Sequence, residues 1–297
     1  MITDVKIDPT SLLEVTTPLK TADLSMRLSC DRDGRSVVTR QYVNYPFRLS
    51  RTFRLDRTDP NRAYLYIMSA SPGLLAGDNL RVCSQLDANT SLYLTDQAAT
   101  KVHSMPIAGT AAKMVYEITV GAGANLEFIP EPLILYTDAT LEQITQVRLH
   151  PTGRLFLSEI ILPGRLARGE FYRFHQYFSR LQVTSPTGEI LFADAMRLEG
   201  KLNPFKENRF FSSLPVLCNI FIVLPDTDMK RLSAELEDLE AAASWEIIAG
   251  SSLLPHCNGL LVRAMAGSAY GLKIYVQYAL NCVRRVSGQP PLPKIPK

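Results

Sequence analysis

The chain has 297 residues, 46% of them hydrophobic, and 32 basic against 29 acidic side chains give a formal net charge of +3. That hydrophobic content supports a buried core and excludes disorder as the main description. The near balance of charge excludes a clustered basic face for nucleic acid, and no apolar run reaches the ~18 residues needed to cross a bilayer.

Residues 1–25 read as an N-terminal extension. Its opening, MITDVKIDPTSLLEV, places acids before the first short apolar patch, unlike a secretory signal, and matches no motif. Cys30, Cys83, Cys218, Cys257 and Cys282 are scattered, odd in number and without a CxxC pair. They read as reduced thiols, and the expected compartment is the cytoplasm.

From about residue 26 to 224 the text is one of strands and turns. In KMVYEITV, Met114, Tyr116, Ile118 and Val120 share one face of a period-two strand. Turn signals punctuate the run at DRDGR (31–35), VGAGAN (120–125), HPTGR (150–154) and SPTGE (185–189). VRLH-PTG-RLFLSEI reads as a hairpin, and RLFLSEIIL is apolar on both faces, so this strand is expected to be covered on two sides.

The last quarter changes period. In DTDMKRLSAELEDLEAAAS, Met229, Leu232, Leu236 and Leu239 recur at helical spacing behind an Asp226–Asp228 cap. A second helix is expected from Ser268 to about Val286, apolar on most sides and so either buried or docked on a partner. Gly288 serves as its C-terminal stop, and Pro290 and Pro291 forbid continuation. The tail, 288–297, is Pro-rich and expected to be extended. The fold expectation is therefore a mainly β, coiled or layered, β-helix-like scaffold over 26–287 with two α-helices in its C-terminal quarter.

Familiar catalytic patterns are missing. SPGLLAGDNL has glycines at 73 and 77 but no Lys-Ser/Thr, and Asp78 would repel a phosphate. No GxSxG elbow occurs, the four histidines are far apart, and His256–Cys257 is a weak ligand pair because neighbours on an extended chain point opposite ways. What remains is acids in apolar company. Glu159 shares a strand face with Leu155, Leu157 and Ile161; Glu131 sits between two prolines; Asp138 closes an apolar run; Glu170 shares a face with Tyr172 and Phe174. An ionised carboxylate in such a setting must be paired, hydrated or metal-bound. Arg165 and Arg168 could pair with Glu170 or Glu159; otherwise these acids line an internal passage or a cation site. Oxygen donors without His or Cys suit transient handling of a metal such as nickel better than storage.

SPGLLAGD, TDQAATKV, LEFIPEPLILYTDA and SEIILPGRLARGEFYRF, in that order and spacing, with ADAMRL and GLLVR beyond them, resemble the UreD (UreH) family of urease accessory proteins. The resemblance runs from about residue 26 to the end. It implies a non-enzymatic chaperone that binds urease apoprotein and, through a UreF-like protein, a UreG-like GTPase. It also implies a β-helix-like fold with two helices and a tunnel that passes Ni²⁺ in transit, with no permanently bound cofactor. By motif, Asp78 and Glu170 become the first candidates for tunnel-side acids, Asp138 and Glu131 the second, with Glu159 beside them. Thr100, Lys101, Arg165 and Arg168 become candidates for structure or partner contact. The chain departs from the family pattern at Leu74-Leu75-Ala76, where a further glycine is usual, and at His103, where a tyrosine is common. Two readings from other classes stay open: a hydrolase using two carboxylates as acid and base, and a structural module whose acids are all salt-bridged.

Overall fold

The structure is a computed structural model that describes residues 22–56, 59–200, 212–238 and 246–296. In chain order its strands begin with β1 (Leu24–Cys30), β2 (Ser36–Val43), β3 (Phe47–Leu49), β4 (Ala63–Ser69), β5 (Asn79–Leu86) and β6 (Ser91–Asp96). Next come β7 (Thr100–Val102), β8 (Ala112–Val120), β9 (Asn125–Ile129), β10 (Leu133–Leu135), β11 (Thr140–Leu149) and β12 (Arg154–Leu162). The last are β13 (Gln176–Thr184), β14 (Ile190–Leu198), β15 (Val216–Val223), β16 (Ile247–Leu253) and β17 (Gly259–Ala266). Helix α1 spans Met229–Glu237 and α2 spans Ala269–Val286.

The strands form two sheets. The first runs β14-β13-β11-β8-β5-β1-β2; the second runs β16-β17-β15-β12-β9-β6-β4-β3, with β10 and β7 beside β12. From β4 to β13 the main strands alternate between the sheets. Each pairs in parallel with the strand one coil earlier, as in β5/β8, β8/β11 and β11/β13 of the first sheet and β6/β9 and β9/β12 of the second. A parallel pair cannot be closed by a tight turn, and here the crossover is made by visiting the opposite sheet. The body is thus a coil of strands, as its alternating text implied.

Each coil has one short corner. Residues 87–90, 121–124 and 150–153 carry the chain from the first sheet to the second and stack on one another. Gly121 N–H donates to Leu86 O (2.9 Å), Asn89 N–H to Ala122 O (2.8 Å), and His150 N–H to Val120 O (2.9 Å). The hairpin expected at VRLH-PTG-RLFLSEI is therefore corrected: β11 and β12 do not pair with each other but lie in different sheets, joined by the 150–153 corner. A local turn signal is the same for both outcomes. What decides is that the inner faces of both strands are apolar and bury each other.

The main core lies between the sheets and includes Met114, Ile118 and Val120 of β8 and Leu155, Leu157 and Ile161 of β12. A second apolar layer covers the other face of the second sheet, where Phe156 and Ile160 meet α1 and α2. This explains why RLFLSEIIL is apolar on both faces. Helix α1 starts at Asp228, whose side chain accepts from Lys230 N–H (3.0 Å) and Arg231 N–H (3.2 Å). Met229, Leu232 and Leu236 are buried, and Leu239 lies outside the described residues. Helix α2 starts at Ser268 and buries Leu272, Tyr275, Val276, Ala279 and Leu280, so its wide apolar surface is core. Gly288 follows its end at φ +65°. Strands β16 and β17 stand between the two helices and extend the second sheet.

The Pro-rich segment lies back on the body. Leu292 and Ile295 pack against the second apolar layer, Leu292 N–H donates to Asn281 Oδ1 (2.8 Å), and Tyr66 O–H donates to Pro296 O (2.8 Å).

Candidate functional site

The second corner of each coil is long. Segments 70–78, 97–111, 130–139 and 163–175 return the chain from the second sheet to the first, and each of the four motifs singled out in the sequence lies in one of them or runs into it from the preceding strand. They stack as the strands do. Leu74 bridges Val102 in parallel, β7 pairs with β10, and β10 pairs with the end of β12. One edge of the coil thus gathers segments that are widely spaced in sequence.

Two motif glycines exist for this stacking. Gly73, at φ +152°, lies where a Cβ would stand 2.3 Å from Lys101 O, the atom that accepts from Leu74 N–H (2.8 Å). Gly164, at φ +147°, would carry a Cβ 2.4 Å from Glu170 O. Both positions need positive φ and a bare backbone, which glycine alone supplies. The Gly73–Gly77 loop is a turn packed against the next coil, and Asp78 Oδ2 accepts from Leu75 N–H (2.7 Å) to cap it.

The five candidate acids go to different addresses. Glu170 is held by Arg165 through two hydrogen bonds, one from Nε (2.8 Å) and one from Nη2. That bonding lowers the Glu170 carboxyl below its usual range. The Arg165 guanidinium lies over the Tyr136 ring, 4.2 Å from its centroid, and His103 meets the same ring edge-on at 5.2 Å. Asp138, at φ +59°, faces His175 at 3.6 Å. Glu131 accepts from Lys273 Nζ (2.9 Å) on α2. The expectation that Glu170 shares a strand face with Tyr172 and Phe174 is corrected. Residues 169–175 are turns and bends, Tyr172 sits at φ +49°, and both rings are buried.

Glu159 differs from the rest. It points between the sheets and accepts from Gln143 Nε2, Tyr177 O–H (3.1 Å), Ser179 Oγ–H (3.2 Å) and Asn219 Nδ2 (3.3 Å). No cation is bonded to it among the described residues. Burial raises its pKa, and the hydrogen bonds from Asn219, Tyr177 and Ser179 only partly oppose that. Although deeply enclosed, it retains accessible surface, because it borders a cavity of about 270 Å³. Asp96, Glu131, Gln143, Tyr116, Thr100 and Lys101 also line this space. Its exposed lining residues, Ser69, Pro72, Gln97, Ala98 and Lys101, mark where it reaches the surface at the stacked-loop edge. Asp78, Asp138, Glu170, Arg165 and Arg168 are not part of its wall. No group of three His, Cys, Asp or Glu side chains among the described residues is arranged to hold a metal ion.

Sequence reasoning missed two features. Asp96, at the end of β6, joins Glu131 through that residue's N–H (3.3 Å) and faces the cavity. It was legible only as one more acid after an apolar strand. On the opposite face of the second sheet, Glu127, Asp56, Arg62 and Arg284 form a buried ion cluster. Arg284 donates to both Glu127 oxygens (2.9 and 2.6 Å), and Arg62 donates to Glu127 and to Gln289 of the tail. The available signal was a charge inside each of three apolar stretches, NLEFI, RAYLYIM and NCVRRV.

A family model described as "UreD urease accessory protein" matches residues 20–297. A protein named "Urease accessory protein UreD" from Trichodesmium erythraeum (strain IMS101) is 52% identical over 279 residues, covering 94% of this chain and 100% of its own. One of the same name from Haloarcula marismortui is 32% identical over 256 residues, 86% of this chain and 83% of its own. "Urease accessory protein UreD 1" from Pseudomonas syringae pv. tomato is 30% identical over 270 residues, 90% and 92% of the two chains.

Proposed function

The chain belongs to the UreD urease accessory protein family, non-enzymatic proteins of urease maturation, and from that premise we propose that it is a cytoplasmic scaffold that relays Ni²⁺. It binds urease apoprotein and a UreF/UreG-type complex, and the ion passes between them as cargo rather than as a resident cofactor.

The observation that carries this reading is Glu159 at the wall of the inter-sheet cavity. Its carboxylate is solvated only by neutral donors, in a place where burial makes bare charge costly. A divalent cation entering the cavity supplies the missing positive charge. Asp96 adds a second carboxylate to the cavity wall, beside Glu131, which Lys273 already bonds, so an ion meets oxygen donors and no cage of imidazole or thiolate to hold it. None of the described helices is long and apolar enough to cross a membrane.

Two measurements test the proposal. Purified protein is mixed with urease apoprotein and with the UreF-like partner, and failure to retain either removes the scaffold. Glu159→Gln is then expected to assemble normally yet lose most nickel-dependent urease activation; full activation by that variant removes the relay. The reading of the chain as a docking platform alone draws on Glu170 and Asp138. Each faces its own basic partner, as structural or interface acids do.

A further inference from the structure

The stacked-loop edge has a charge pattern that its composition hides. Its four segments contain Lys101, Arg165, Arg168 and Arg173 against Asp78, Glu131, Asp138 and Glu170, a formal balance of four and four. The structure sorts these charges by depth. The acids are half-buried and occupied: Asp78 caps its turn, Glu131 meets Lys273, Asp138 faces His175, and Glu170 is bound by Arg165. Lys101, Arg168 and Arg173 are exposed and have no ion pair among the described residues. On the same stacked segments two large apolar side chains are exposed, Leu75 at 45% and Ile107 at 72%. Apolar anchors within a rim of one sign of charge are the anatomy of a protein-docking surface.

We infer that this edge docks an acidic face of a partner protein, with Lys101, Arg168 and Arg173 as its complementary charges and Leu75 and Ile107 as its apolar contacts. The inference rests on the scaffold reading above and adds the chemistry of one of its two interfaces. Arg165 is not an anchor here, because Glu170 and the Tyr136 ring already engage its guanidinium. Lys101 belongs both to this edge and to the cavity wall, so a partner seated here covers the cavity mouth. An acidic face at that point also neutralises the one basic side chain in the wall, which otherwise repels an approaching cation.

The test is the triple variant K101E/R168E/R173E, compared with wild type for binding to urease apoprotein and to the UreF-like partner separately. All three side chains are exposed, so the thermal transition should be unchanged. Binding to one of the two proteins should weaken about tenfold or more, with the other unaffected. Wild-type binding to that same protein should weaken as salt rises from 50 to ~500 mM, and the variant should lose this dependence. Ile107→Asp should weaken the same complex and spare the other. Unchanged binding of the triple variant to both proteins overturns the inference while leaving the scaffold intact. Charge-dependent binding to anionic vesicles or to heparin, without an effect on either protein, overturns it in favour of a lipid or polyanion surface. If wild type binds neither protein, the scaffold reading itself has failed and this inference falls with it.

Discussion

Glu127 and Glu159 stand on neighbouring parallel strands of one sheet and point to opposite faces, and only Glu127 is met by cations. Two guanidiniums close on Glu127 beneath α2, whereas Glu159 has four neutral donors beside a cavity. The same residue type thus serves as a structural counter-ion on one side and as an uncompensated charge on the other.

Glu159→Gln should make the protein no less stable at neutral pH, and more stable than wild type if its neighbours re-bond to the amide. The folded pKa of Glu159 is raised, so the folded state holds the proton more tightly than the unfolded chain. Its stability contribution is complete below the ordinary carboxylate value and is lost as pH rises from there through the raised folded value. Each unit of raised pKa corresponds to about 1.4 kcal/mol. Urea unfolding between pH 4 and 8 should show this decline in wild type and its absence in the variant.

Glu127→Ala should do the opposite. Removing the shared acceptor leaves Arg62 and Arg284, at 1% and 0% exposure, to share Asp56 as their buried counter-ion, with positive charge in excess. Breaking a buried pair by deleting one partner costs about 3–5 kcal/mol, enough to lower the thermal midpoint by many degrees or to abolish soluble protein. Replacing Glu127, Arg62 and Arg284 together with apolar residues should recover part of that loss.

Cutting the chain after Ser287 should lower stability even though four of the ten lost residues are proline. Arg62 Nε already has no hydrogen bond, and Gln289 supplies the acceptor for Arg62 Nη2. Its loss costs about 1–3 kcal/mol for the buried donor, beyond the contacts of Leu292 and Ile295. Gln289→Ala in the full chain should reproduce the first part alone, as read by chemical denaturation.

Glu170→Ala should loosen the 163–175 loop without unfolding the body. The Glu170 carboxyl is lowered by Arg165, so its stabilising contribution is present above the ordinary carboxylate range and fades as pH falls through the lowered value. Amide exchange should rise in 163–175 and stay unchanged in the strands. Urease activation that persists in this variant assigns Glu170 to loop structure.

Gly164→Ala should disturb the same loop by another route, because its Cβ would meet the Glu170 carbonyl and its φ is unfavourable for alanine. A cost of about 1–3 kcal/mol is expected, with exchange increases in the same segment.

Much of the architecture was open to reading. Period-two apolar alternation, Gly-containing turns and the capped apolar repeats of α1 and α2 follow from backbone geometry that each short segment carries in itself. The four motifs with their glycines also point to the chain's family from sequence alone. Pairing was another matter. The 150–153 turn looks like a hairpin from within, and it becomes a corner because β11 and β12 bury their apolar inner faces on each other while pairing in parallel one coil away.

By itself, then, the sequence determined that the body is strand-rich, that two capped helices lie in its last quarter, and that several carboxylates sit among apolar residues. Those properties depend on neighbours within a few positions. The tertiary structure alone decided which carboxylate meets a cation. Arg284 lies 157 residues from Glu127, Lys273 lies 142 from Glu131, and no cation reaches Glu159 among the described residues. The fate of a buried charge is set by what the fold brings within a few ångströms of it, and distance along the chain carries no record of that.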